Sequence, residues 1–146
     1  MHVAAQAAIM RRFILHRTCA MTRNKPAEPR TVRDFIFWAE RRFGKAGLYF
    51  GHGTDNARDE AVWLVTAALQ IPFDGLDAQA ERLLNESEQQ AVRGLVEARV
   101  GTRKPLAYLL HEAWFAGLKF YVDERVLVPR SLIGDFIHEQ FQPWID

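Results

Sequence analysis

The sequence predicts a mainly α fold, a small helical bundle followed by a β-hairpin linker, α+β overall. Three observations carry this expectation. Apolar residues recur at helical spacing in three segments between residues 31 and 100. Capping side chains stand before these segments, and glycine or proline stands after them. From residue 112 the period changes to two, in a stretch rich in aromatic and β-branched residues.

The first helix is TVRDFIFWAERRF, residues 31–43. Thr31 suits the N-cap, and Asp34 favours the first turn. Val32, Phe35, Ile36, Ala39 and Phe43 fall on one apolar stripe, and Gly44 is expected to end it. The next thirteen residues, GKAGLYFGHGTDN, hold four glycines and must form a shaped loop. Asp55 or Asn56 then caps a helix over about 56–70, with Ala61, Leu64, Val65 and Ala68 inward, and Pro72 breaks it. A short helical piece is expected over 77–84. Asn85 with Glu88 three residues later forms a capping box for a helix over 86–100. Its buried face would be Ala91, Val92, Leu95, Val96 and Val100, with Gly101 closing it. Pro105 fits the first position of the short helix PLAYLL. Residues 112–122 read as a hairpin turning near Gly117, in which Phe120 and Val122 alternate with Lys119, Tyr121 and Asp123. Residues 125–128 read as a further extended piece. Ser131 caps a last helix, SLIGDFIHEQF.

The expected organisation is a flexible basic leader (1–30), a helical domain (31–110), a hairpin linker (111–130) and the beginning of another unit (131–146). Residues 1–30 carry six basic side chains against Glu28 alone, while the rest of the chain is net negative. Such a leader is a targeting peptide, a nucleic-acid-binding arm or an extension outside the fold. Arg11 and Arg12 break its apolar run, so it lacks a secretory profile. Hydrophobic residues make up 49% of the 146 and charged residues 25%, as in soluble globular domains. No stretch approaches the ~20 apolar residues that cross a bilayer. Cys19 is the only cysteine, which excludes a disulfide framework.

Most catalytic constellations fail on spacing. Gly51, His52 and Gly53 lack the glycine period and lysine of a phosphate loop. The five histidines never pair at i, i+4 and have no neighbouring cysteine, so no metal site is expected. The carboxylates of TDNARDE, residues 54–60, lack the ligand alternation of a calcium loop and suit helix capping. Ser87 and Ser131 sit at helix starts as caps. No residue set here runs a reaction by itself.

Two motifs point further. Residues 105–133, PLAYLLHEAWFAGLKFYVDERVLVPRSLI, with Arg103 two residues before them, give the order Arg103-x-Pro105, Tyr108, Phe115-x-Gly117, Phe120-x-Val122 and Val128-Pro129-Arg130. This order resembles the joint of the HemK-like protein-glutamine methyltransferases. YFGHGTDNARDEA, residues 49–61, and VDERVLVPRS, residues 122–131, resemble the branch that modifies a large-subunit ribosomal protein. The resemblance covers roughly 31–137. It implies a helical substrate-recognition domain joined by a hairpin to a doubly wound domain that binds S-adenosylmethionine. It also implies a cytoplasmic enzyme that methylates the side-chain amide nitrogen of a glutamine. That nitrogen is a poor nucleophile, so catalysis would rest on positioning and preorganisation.

Neither a glycine-rich cofactor loop after a strand nor an Asn-Pro-Pro-Tyr motif occurs in the 146 residues. The catalytic Rossmann-like domain is therefore expected to be absent, residues 131–146 to be its beginning, and the fragment to be inactive alone. Catalytic residues in this stretch: none. The resemblance makes Val128, Pro129 and Arg130 candidates for the edge of the cofactor pocket. Leu132 departs from the family pattern. His52 and Asp55 are candidates for contacting the ribosomal protein substrate. Two rival readings stand beside this one. A stand-alone helical module would recruit a partner strand through its hairpin edge. An RNA-binding module would use the leader, against the negative balance of the body.

Overall fold

The computed structural model describes residues 28–51 and 53–129. The leader to residue 27, His52, Arg130 and the helix expected from Ser131 lie outside the described residues. So does Trp144.

Helix α1 runs Val32–Ala46. Thr31 Oγ1 accepts the Asp34 N–H at 3.1 Å, and the Asp34 carboxylate accepts the Thr31 N–H at 3.0 Å. The next free donors of the first turn are met from another segment, Val32 N–H by the Arg82 carbonyl and Arg33 N–H by that of Ala80. The buried residues of α1 are the predicted stripe: Val32, Phe35, Ile36, Ala39 and Phe43. The helix passes through Gly44, however, and stops at Gly47, whose φ of 57° turns its N–H onto the Phe43 and Gly44 carbonyls. Of these two glycines, the one that takes the left-handed conformation ends the helix.

Asn56 caps α2, Ala57–Leu69, by accepting the Asp59 N–H at 2.9 Å. Residues 60–66 are all buried, because α2 lies against both α1 and α4. Ala68, expected inward, is only half-buried. The helix ends at Gln70 (φ 54°), two residues before Pro72. The piece expected over 77–84 is shorter and earlier: a 3₁₀ turn at Phe73–Gly75 leads into α3, Leu76–Gln79. Residues 80–84 cannot stay helical, since they are drawn along the start of α1 by the Arg82 and Ala80 bonds and by Leu84 N–H on the Arg30 carbonyl.

Helix α4, Glu86–Thr102, begins with the expected capping box between Asn85 and Glu88. The Asn85 N–H, then the Arg82 guanidinium, holds the Glu88 carboxyl below its ordinary value. Its buried residues are Val92, Val96 and Arg99, whereas Ala91 is exposed and Leu95 and Val100 are half-buried. The helix runs past Gly101 to end at Arg103, which takes φ 58°. The Arg103 side chain reaches back to the end of α1, donating to the Ala46 carbonyl at 3.3 Å and the Gly47 carbonyl at 2.7 Å. Pro105 stands at the N-cap of α5, Leu106–Leu110.

Strands β1 (Ala113–Phe115) and β2 (Leu118–Phe120) pair antiparallel, with Ala113 opposite Phe120 and Trp114 opposite Lys119. Ala116 (φ 49°) and Gly117 (φ 78°) form the two-residue turn, both with positive φ, as strand twist favours. No strand forms over 125–128. Instead Val126 N–H closes a turn onto the Asp123 carbonyl at 3.1 Å, and Arg125 folds back on the Asp123 carboxylate. Phe35, Ile36, Phe43, Leu64, Val65, Leu76, Val92, Val96 and Leu106 fill the core, and Val122 and Val128 join it from beyond the hairpin. Each such side chain contributes about 1.5–3 kcal/mol of transfer free energy. Among the described residues no helix is long and apolar enough to cross a membrane.

Candidate functional site

The loop between α1 and α2, residues 48–56, is built around a charge pair that sequence reasoning missed. Arg99 Nε donates to Glu60 Oε1 at 2.6 Å, with only 3% and 5% of these side chains exposed. Arg99 Nη2 donates to the Tyr49 carbonyl at 3.1 Å, and Thr54 Oγ1 donates to Glu60 Oε2 at 3.2 Å. A buried ion pair offsets its desolvation only when its remaining donors and acceptors are met. Here the loop backbone and the Thr54 hydroxyl help to meet them. The signal was present in sequence: Val92, Val96 and Arg99 share one helical stripe, and Glu60 adjoins the apolar run of α2. Opposite charges on the buried faces of two helices imply a pair.

Two glycines let the loop follow this frame. At Gly53 (φ 108°) a Cβ would meet Trp63 Cζ3 at 3.3 Å, and at Gly51 (φ 130°) it would meet the Tyr49 hydroxyl at 3.3 Å and the ring at 3.4 Å. Tyr49 is 74% exposed, so the loop presents an aromatic ring above a glycine backbone. Asp55 is exposed on the same loop, one residue before the α2 cap. Of the three TDNARDE carboxylates only Asp59 serves capping, as expected, its carboxylate accepting from the Asn56 amide at 2.9 Å, whereas Glu60 is taken by the buried pair. Among the described residues no cluster of three His, Cys, Asp or Glu could hold a metal ion.

Trp63 links the loop to the hairpin. One edge of its ring bears on Gly53, while its indole N–H donates to Glu112 Oε1 at 3.3 Å. Glu112 in turn pairs with Lys119 on β2. Beyond the hairpin, Tyr108 Oη donates to the Val126 carbonyl at 2.7 Å, and Lys104 pairs with Glu124. The His111 and Tyr121 rings stack at 5.5 Å. The Arg125 guanidinium beside Asp123 holds that carboxyl down to about 2. These bonds fix the path to Val128, whose side chain is buried in the core, and to Pro129, which is half-buried. Asp55 and the Val128–Pro129 pair thus belong to separate segments, the α1–α2 loop and the strap after the hairpin.

Leu118, Phe120, Tyr121, Val126 and Leu127 are exposed, Leu127 at 89%. The hairpin and its strap therefore carry apolar surface that the helical domain leaves uncovered. An open groove lined by Glu28, Pro29, Asp34, Phe37 and Arg41 lies on the exposed face of α1.

The chain is 47% identical over 116 residues to the ribosomal protein uL3 glutamine methyltransferase of Neisseria gonorrhoeae, covering 80% of this chain and 39% of that protein. It is 47% identical over 121 residues to the protein of that name from Burkholderia pseudomallei, covering 83% and 39%. With the Xylella fastidiosa protein, also so named, the identity is 47% over 126 residues, covering 86% and 40%. The chain therefore spans about two fifths of the length of these relatives. Residues 34–110, from the first turn of α1 to the end of α5, match the family model described as the PrmC N-terminal domain. The resemblance carried by the loop and hairpin motifs is thereby shown, and the chain belongs to the PrmC N-terminal domain family.

Proposed function

We propose that this chain is the substrate-recognition part of a cytoplasmic, S-adenosylmethionine-dependent enzyme that methylates a glutamine side chain of ribosomal protein uL3. The observation that carries the reading is the 47% identity to relatives bearing that activity in their names. In this reading Asp55 and His52 face the protein substrate. Val128, Pro129 and Arg130 lead to the edge of the cofactor pocket in the catalytic domain. The apolar face of Leu118, Phe120 and Leu127 is covered by that domain.

The described residues do not fit the cofactor. Dinucleotide-like ligands sit at the carboxyl ends of parallel strands, and the described sheet is one antiparallel pair. This part therefore contributes position, holding the protein substrate so that its amide nitrogen reaches the methyl donor elsewhere. The chain alone is expected to transfer no methyl group.

Calorimetric titration of the chain with purified uL3, and with a peptide-chain release factor as control, tests the reading. Binding to uL3 alone supports it; no binding to uL3, or equal affinity for both, refutes it. The exposed apolar hairpin also favours a second reading, a stand-alone module that recruits a partner strand. Sedimentation that shows dimers held through the hairpin, together with no affinity for uL3, would favour that one.

A further inference from the structure

We infer that the Glu60–Arg99 pair sets the shape of the 48–56 loop for recognition, making Arg99 a positioning residue for substrate binding. The inference rests on the proposed reading of this loop as the substrate contact.

A strut between α2 and α4 would need only the 2.6 Å bond between the two side chains, and the apolar packing of Val65, Val92 and Val96 already joins these helices. Two further bonds go to the loop instead. Arg99 holds the Tyr49 carbonyl, and Glu60 takes the Thr54 hydroxyl. The pair therefore grips both ends of the segment 49–54. Between the grips lie Gly51 and Gly53, the two residues with the widest choice of backbone conformation. Outside the grips stand the exposed Tyr49 ring and Asp55. Left to itself, a segment with two glycines samples many shapes and must be ordered on binding, which lowers affinity. The geometry moves that ordering into the folding of the domain.

The arrangement also explains why an arginine occupies this place. A planar guanidinium can present Nε to a carboxylate and Nη2 to a carbonyl at once, whereas an ammonium offers a point charge without that fork. Replacing a buried ion pair with well-packed hydrophobic side chains of similar volume is often neutral for stability. Loop shape and overall stability can therefore be separated by experiment.

The variant is Glu60→Met combined with Arg99→Met in the full chain. Two measurements are made on protein whose helical circular dichroism and cooperative melting are retained. The first is the ¹⁵N order parameter of residues 49–51 and 53–55, expected to fall from about 0.85 to below about 0.6. The second is the affinity for uL3, expected to weaken about tenfold, with Arg99→Lys between the two. Should the double variant fail to fold, Thr54→Val, which removes only the hydroxyl to Glu60, is read by the same two measurements.

Order parameters that stay near the native values in a folded variant overturn the inference. A mobile loop with unchanged affinity overturns the recognition role. If the native chain itself shows no affinity for uL3, the substrate reading fails, and the order parameters still judge the loop-shaping role alone.

Discussion

Replacing Gly53 by alanine should destabilise the chain, while the same change at Gly44 should stabilise it. Gly53 has φ 108°, a conformation that an L side chain adopts at a cost of about 1–3 kcal/mol. Alanine recovers about 0.4–1 kcal/mol by restricting the unfolded chain. The added Cβ also meets Trp63 Cζ3 at 3.3 Å and Cη2 at 3.7 Å, and the buried Trp63 ring has little room to yield. The net loss is about 1–2 kcal/mol. For a domain of this size that lowers Tm by about 4–16 °C. At Gly44, inside α1, a Cβ meets nothing within 4 Å. Helix propensity then favours alanine by about 0.8–1 kcal/mol, and Tm should rise by about 3–8 °C. Melting followed by far-ultraviolet circular dichroism gives both values, and Trp63 fluorescence reports the local crowding. If the two variants shift in the same direction, or Gly53→Ala melts with the native chain, the loop geometry argued here is wrong.

Asn85→Ala removes the acceptor for the Glu88 N–H at 2.9 Å and should cost about 1 kcal/mol, read as a lower urea midpoint at constant m-value. Tyr108→Phe removes the bond to the Val126 carbonyl and should cost about 0.5–1.5 kcal/mol. Hydrogen exchange of residues 121–126 should speed up, with α1 and α4 unaffected; uniform acceleration would contradict this. Asp123 has its carboxyl depressed to about 2, chiefly by hydrogen bonding to Arg125. A depressed value stabilises the fold above the ordinary carboxylate value of 3.8, and that contribution is lost as pH falls from there through about 2. Carboxyl NMR of Asp123 should therefore titrate near 2 and move up in Arg125→Ala; a titration near 4 in the native chain would sink the assignment.

Local signals in the sequence were sufficient for what is local in the structure. Thr31 with Asp34 and Asn85 with Glu88 started their helices, and the Val32-to-Phe43 stripe faced the core, because each depends on residues within one or two turns. Helix ends were less legible. Gly44 and Gly101 both looked like stops, yet the left-handed conformation fell to Gly47 and Arg103, with the Arg103 side chain bonded to the Gly47 carbonyl. The strap over 125–128 was read as extended from its valines and leucine, and the Asp123–Arg125 fold-back overrode that propensity. In the candidate site, four glycines within residues 44–56 announced a shaped loop. The force that shapes it was hidden, since Glu60 and Arg99 lie 39 residues apart. A pair at that separation leaves only a charge on each apolar stripe to betray it.

Arg103 looks expendable, an exposed cation near the end of a helix. Yet its main chain concludes α4 while its guanidinium takes up two carbonyls at the end of α1, so a single codon serves two helix ends. Glycine there would relieve the backbone and orphan two carbonyls; lysine would keep the charge and forfeit the two-pronged grip. A mutational tolerance map of this chain should therefore show an intolerant position on its outer surface, where solvent exposure alone would forecast indifference.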